Sequence, residues 1–132
     1  MSAPAKILII ESHTPLAMMF VHVLTQAGCD TSVARNGELG LKLAKENKFD
    51  LIALNMDLPD FSGLEVCRAL KQQHYSRHTP VVFVSKRHHE QDLQQSLETA
   101  AVIDLTKPFD AHDFTSQLLS YISPSDIGGN AK

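Results

Sequence analysis

Asp50-Leu-Ile-Ala-Leu-Asn55, followed by Met56-Asp-Leu-Pro-Asp-Phe-Ser-Gly63, decides the fold of this chain. Leu51 to Leu54 are continuously apolar, the composition of a strand buried on both faces. The run ends on a polar side chain, Asn55, and Pro59 and Gly63 punctuate the turn that follows. Leu64, Cys67, Leu70 and the stem of Lys71 then recur at the spacing of a helix with one buried face. A doubly covered strand that feeds a helix is half of a β-α-β unit.

The same alternation occurs five times. Lys6 to Ile10 is an apolar run. Thr14-Pro15 reads as the N-cap and first residue of a helix. Leu16, Phe20, Val23, Leu24 and Ala27 supply that helix's buried face, and Gly28 stops it. Asp30 to Ala34 reads as a weaker strand, Asn36-Gly37 as a turn, and Leu41 with Ala44 as the face of a second helix. Pro80 to Val84 is a fourth strand with proline at its first position. Glu90 to Thr99, with Leu93 and Leu97, is a helix. Ala101 to Leu105 is the fifth strand. Asp110 caps a last helix that turns Phe114, Leu118, Leu119 and Ile122 inward.

Five such units predict an α/β fold, a flavodoxin-like (βα)5 three-layer sandwich with a parallel sheet of order 2-1-3-4-5. One domain spans residues 4–122. Residues 123–132, rich in Ser, Gly and Pro, read as a flexible tail or the start of a linker to an output domain.

Bulk composition narrows the function classes. The chain has 132 residues, 43% hydrophobic and 20% charged, which suits one globular core. A net charge of −3 gives no electrostatic basis for nucleic-acid binding. No apolar run reaches the ~20 residues needed to span a bilayer, and the N-terminus lacks a signal peptide's apolar core. A cytoplasmic protein is the expectation. Cys29 and Cys67 show no metal-ligand spacing, and Cys67 reads as a small buried thiol. Seven histidines suggest metal at first sight. However, His88-His89 are adjacent, and His74 and His78 fall at a helix end or loop, so surface histidines are the reading. Ser12-His13 and Ser85 do not make a nucleophile with a base. No Gly-rich loop supports a nucleotide or flavin.

In an open parallel sheet the site lies at the carboxyl ends of the strands, near the switch point. That places Glu11 and Ser12, Asn55 to Asp57, Ser85 and Lys86, and Thr106 and Lys107 around one cleft. At these positions the chain resembles the response-regulator receiver domains of two-component signalling, over residues 6 to about 122. Lys107-Pro108-Phe109 matches the family's Lys-Pro-Phe, whose lysine pairs with the phosphoryl oxygens. Ser85 matches the Ser/Thr whose hydroxyl follows the phosphoryl group. Pro59 and Gly63 match the turn after the phosphoacceptor.

Four positions depart from that pattern. Asn55 stands where the family has the acceptor aspartate, and an uncharged amide is a very poor nucleophile. Ser12 replaces the acidic residue that ligates Mg²⁺, and a neutral hydroxyl is a weak ligand. Lys86 stands where the family has a small residue beside the hydroxyl. It either folds toward Glu11 and Asp57 or is a solvated lysine at a helix start. Asp104 replaces the aromatic that turns inward on phosphorylation, and an unpaired aspartate cannot bury as that ring does. Asp57 reads as an exposed loop residue. With Glu11 it leaves at most a weak cation site, and in principle it could accept phosphate itself.

The resemblance therefore implies a degenerate receiver, a pseudo-receiver: a protein-interaction module in signal transduction, not an enzyme, that does not use aspartyl phosphate. No cofactor is expected, and Mg²⁺ binding should be weak or absent. The implied partner is a sensor kinase or an output or regulatory protein, docked on the face from Lys86 to Ile122. A homodimer is a further expectation. Two other readings stay open. One is a working phosphorelay receiver, with Asn55 engineered or Asp57 substituting for it. The other is a small-molecule or flavin binder on the same fold.

Overall fold

Apolar strands need cover on both faces, and the chain supplies it with amphipathic helices between successive strands. A computed structural model of the chain describes residues 3–85, 101–104 and 110–122. Strands β1 (Lys6–Ile10), β2 (Asp30–Ala34), β3 (Leu51–Asn55), β4 (Val81–Ser85) and β5 (Ala101–Asp104) form one parallel sheet in the order β2-β1-β3-β4-β5. Among the described residues the helices are α1 (Thr14–Gln26), α2 (Gly37–Glu46), α3 (Gly63–Gln72) and α4 (Ala111–Leu119). The flavodoxin-like topology expected from the sequence is the one observed. The helix expected over Glu90 to Thr99 and the segment 123–132 lie outside the described residues.

The sheet divides two apolar layers. On one face Leu16, Phe20 and Leu24 of α1 meet Phe114, Leu118 and Ile122 at the C-terminal end, over Ile7, Ile9, Ala53 and Val82. The rings of Phe20 and Phe114 stack with centroids 5.0 Å apart. On the other face Ala44, Val66, Cys67 and Leu70 cover Leu8, Ile10, Ile52 and Phe83. The alternation of Ile7 and Ile9 against Leu8 and Ile10 is the strand period of two, here apolar on both sides.

Helix ends show where local sequence reading held and where it failed. Gly28 ends the α1 segment at φ 90°, a left-handed backbone that glycine adopts without steric cost. Asp110 caps α4 by accepting from Asp113 N–H at 3.0 Å. Thr14 does not cap α1: His13 occupies the N-cap position and makes no side-chain cap bond. The Thr14 hydroxyl instead accepts from Arg35 Nη2 at 2.7 Å, a partner 21 residues away. Asn36-Gly37 is not a free turn. Asn36 is the N-cap of α2, accepting from Leu39 N–H at 2.8 Å, and Gly37 is the helix's first residue.

The third helix is closed at both ends. Ser62 and Glu65 form a reciprocal capping box, with Ser62 N–H to Glu65 Oε1 at 2.9 Å and Glu65 N–H to Ser62 Oγ at 3.2 Å. Beyond its other end, the buried Ser76 hydroxyl donates to Leu70 O at 2.6 Å. Lys71 is partly buried and donates from Nζ to Thr79 O at 2.6 Å. Burial holds its ammonium below the usual lysine range, although the nearby Cys67 raises it.

Candidate functional site

Parallel pairing brings the strand ends to one edge. Ile10 lies opposite Leu54 and Asn55 opposite Val84, so Glu11 emerges beside Asn55. Ser85 lies opposite Asp104 in the β4–β5 ladder. The backbone thus sets Glu11, Asn55, Ser85 and Asp104 along the carboxyl edge, where strand order reverses around β1. Lys86, Thr106 and Lys107 lie outside the described residues.

The centre of the site is a link between Glu11 and Asn55. Glu11 N–H donates to Ala34 O at 2.9 Å, extending the ladder to β2 and fixing the backbone of Glu11. Its side chain is only 2% exposed. Oε1 accepts from Asn55 Nδ2 at 2.6 Å, and Oε2 accepts from the backbone N–H of His13 at 3.0 Å. A carboxylate this far from water needs such donors, because burying an uncompensated charge is costly. Asn55 Oδ1 in turn accepts from Asp57 N–H at 2.8 Å. One amide therefore ties the β1–α1 loop to the β3–α3 loop. Asp57 is exposed, as the sequence suggested, and Ser12 is partly so.

The loop from Met56 to Ser62 is tightly determined. Asp57 and Ser62 form an isolated antiparallel bridge. Gly63 N–H donates to Met56 O at 2.7 Å. A Cβ on Gly63 would stand 2.5 Å from Asn55 O and 2.8 Å from Met56 Cα, so only glycine allows this approach.

Asp60, which the sequence reading passed over, anchors the loop's far side. Its carboxylate accepts from Gly37 N–H at 2.8 Å, Glu38 N–H at 2.9 Å and Phe61 N–H at 2.9 Å. Desolvation pushes this carboxyl up, but the backbone donors outweigh it and hold Asp60 below its ordinary value. The only local signal was an acidic residue after a proline. Nothing in the sequence connects it to a helix 23 residues earlier.

The Mg²⁺ that the resemblance implies does not fit this donor set. Both Glu11 oxygens already accept hydrogen bonds, Asn55 turns an N–H donor toward Glu11, and its oxygen is engaged by Asp57 N–H. Ser12 contributes a neutral hydroxyl, a weak ligand for a hard cation. Among the described residues no group of three His, Cys, Asp or Glu could hold a metal ion. His74 and His78 are exposed at the opposite end of the sheet, around a cavity of about 230 Å³ that also borders Asp50 and Tyr75. A second cavity, of about 270 Å³, flanks Glu11 on the α1 side and is lined by Thr14, Ala17, Met18, Val33 and Arg35.

Neither cysteine is an activated nucleophile. Both are free and buried. Burial pushes the Cys29 and Cys67 thiols up, and Lys71 and Arg68 offset this only in part for Cys67. No helix among the described residues is long and apolar enough to cross a membrane.

Comparison with known proteins bears on the family and the fold. Residues 7–119 match the family model described as response regulator receiver domain. The polar-differentiation response regulator DivK of Brucella anthropi is 30% identical over 119 residues, covering 90% of this chain and 97% of that protein. Among solved structures, the Vibrio cholerae chemotaxis protein CheY4 superposes with a TM-score of 0.81 at 22% identity, covering 91% of this chain and 100% of that one. The receiver domain of a Pseudomonas aeruginosa sensor histidine kinase, solved with a magnesium ion coordinated in its active-site cleft, gives a TM-score of 0.79 at 18% identity over 90% of this chain and 98% of that one. These likenesses show the fold. The chain spans about half the length of the first curated relatives it matches, at 50% of each.

Proposed function

The chain belongs to the response regulator receiver domain family, and on that premise we propose that it works in two-component signal transduction as a pseudo-receiver. It is an interaction module, not an enzyme, and does not carry aspartyl phosphate. The observation that carries this reading is the 2.6 Å hydrogen bond from Asn55 Nδ2 to the buried Glu11 carboxylate. Phosphoryl transfer needs a nucleophile and cations that neutralise the transferred group. At the acceptor position stands an amide, already spent as a donor to the residue that would help hold the cation.

The proposed partner is a sensor kinase or an output or regulatory protein in the cytoplasm. It docks on the face from Lys86 to Ile122, which includes β5 and α4. Asp104 at the end of β5 supports a surface that does not pass through an aromatic switch. A second copy of the chain is a further proposed partner.

Incubation with acetyl phosphate and Mg²⁺, followed by intact mass measurement, tests this. No stoichiometric phosphoryl adduct is expected. An adduct that disappears in Asp57→Ala would instead establish a phosphorelay receiver using Asp57, which is exposed two residues beyond Asn55.

A further inference from the structure

We infer that the Asn55 amide stands in for the divalent cation of a metal-binding receiver, so that the cleft keeps one arrangement with neither Mg²⁺ nor phosphate. This deepens the proposed function and rests on it for its signalling consequence.

The geometry supports the substitution step by step. Glu11 is a buried anion, and it must be matched by positive charge or by donors. A Mg²⁺ bound between two residues holds their ligating oxygens at about 2.0–2.1 Å from itself, hence about 2.9 Å apart in neighbouring octahedral positions. Asn55 Nδ2 lies 2.6 Å from Glu11 Oε1, inside that separation, with the amide proton between the two atoms. The donor closes that gap and sets the positive end of the amide dipole against the Glu11 carboxylate. The other end of the same amide accepts from Asp57 N–H at 2.8 Å. The amide therefore also reproduces what a bridging cation does mechanically: it joins the loop after β1 to the loop after β3. Asp60 and Gly63 hold the remainder of that loop against α2 and β3. A partner reading this surface meets the loops after β1 and β3 already joined.

The inference assigns Asn55 a positioning role that a merely absent aspartate would not have. Metal-stripped protein is titrated with Mg²⁺ while Tm is recorded. The wild-type Tm should stay unchanged. Asn55→Asp restores a pair of carboxylates, and its Tm should rise by about 4 °C at a tenfold excess of Mg²⁺ over Kd. A wild-type Tm that climbs with Mg²⁺ would overturn the inference, as would a folded N55D protein indifferent to Mg²⁺.

A second measurement does not depend on the folding of N55D. In ¹H–¹⁵N spectra the Asn55 side-chain NH₂ pair should be shifted downfield and slow to exchange. Mg²⁺ should leave it in place, and Glu11→Gln should move it toward the positions of exposed amides. A random-coil NH₂ pair in the wild type would refute the link itself. The outcomes separate the two proposals. A phosphoryl adduct on wild-type protein removes the proposed function and leaves the amide link visible by NMR. A Mg²⁺-dependent wild-type Tm without an adduct removes this inference alone.

Discussion

Asn55→Asp should destabilise the apo protein at neutral pH, and by an amount the geometry sets. The substitution keeps shape and volume but replaces the amide donor with a second carboxylate. It removes a hydrogen bond to a charged acceptor, of the kind that contributes about 1.5–3 kcal/mol. It also sets two negative charges about 4 Å apart, a repulsion of about 4 kcal/mol at an effective dielectric of 20. Binding one proton caps the repulsion, because lifting a carboxyl from its ordinary range near 4 to pH 7 costs about 4 kcal/mol. Rotation of either side chain relieves part of the rest. The net loss should be about 2–4 kcal/mol, a fall in Tm on the order of 10 °C for a domain of this size.

The sign with pH follows. Each carboxylate of the new pair disfavours ionisation of the other in the folded state, whereas in the unfolded chain they are apart. The deficit is therefore full at neutral pH and shrinks as acid protonates one of the two. Urea denaturation in EDTA at pH 7 and pH 4.5, with Asn55→Ala as the control that loses the donor without gaining charge, measures both terms. N55D should be less stable than N55A at pH 7 and approach it at pH 4.5. Equal stability of N55D and wild type at pH 7, or a deficit that does not change with pH, would refute the reasoning.

Three further outcomes are expected. Gly63→Ala drives a methyl against backbone atoms, Asn55 O at 2.5 Å and Met56 Cα at 2.8 Å, and should cost about 1–3 kcal/mol in urea denaturation because neither neighbour is the end of a flexible side chain. Phe20→Ala empties a site that is 1% exposed and stacked on Phe114, and should cost about 3–5 kcal/mol by the same assay. Asp60→Ala should speed amide hydrogen exchange at Gly37 and Glu38. Asp60's carboxyl sits below its ordinary 3.8, so its contribution is full above that value and is lost as pH falls through the lowered folded value. The acid limb of the stability profile should accordingly flatten in the variant.

Much of the fold was legible because its signals are local. Continuous apolar runs at residues 7–10 and 51–54, helical spacing at Leu16, Phe20 and Leu24, and the stop at Gly28 each depend on neighbours within a few residues. The failures came where a polar side chain had a distant competitor. Thr14 reads as a cap, yet Arg35 takes its hydroxyl. Asn36-Gly37 reads as a turn, yet α2 begins there, with Asp60 holding its first N–H groups from across the fold. The strand ends Ile10, Asn55, Ser85 and Asp104 could be set on one edge in advance because a parallel sheet gathers its carboxyl ends there. Their hydrogen bonds could not.

The sequence by itself determined the parallel α/β architecture, the strand ends gathered at one edge, and the amide of Asn55 at the end of β3. These follow from side-chain periodicity and residue identity, which are properties of short windows of chain. Only the tertiary structure decided what the amide does. Glu11 and Asn55 are 44 residues apart, and the β1–β3 register brings them within 2.6 Å. At that distance, with Glu11 shielded from water, Asn55 is a donor that the buried carboxylate needs. A hydrogen bond is worth most where water cannot replace it, and only the folded packing of the sheet determines where that is.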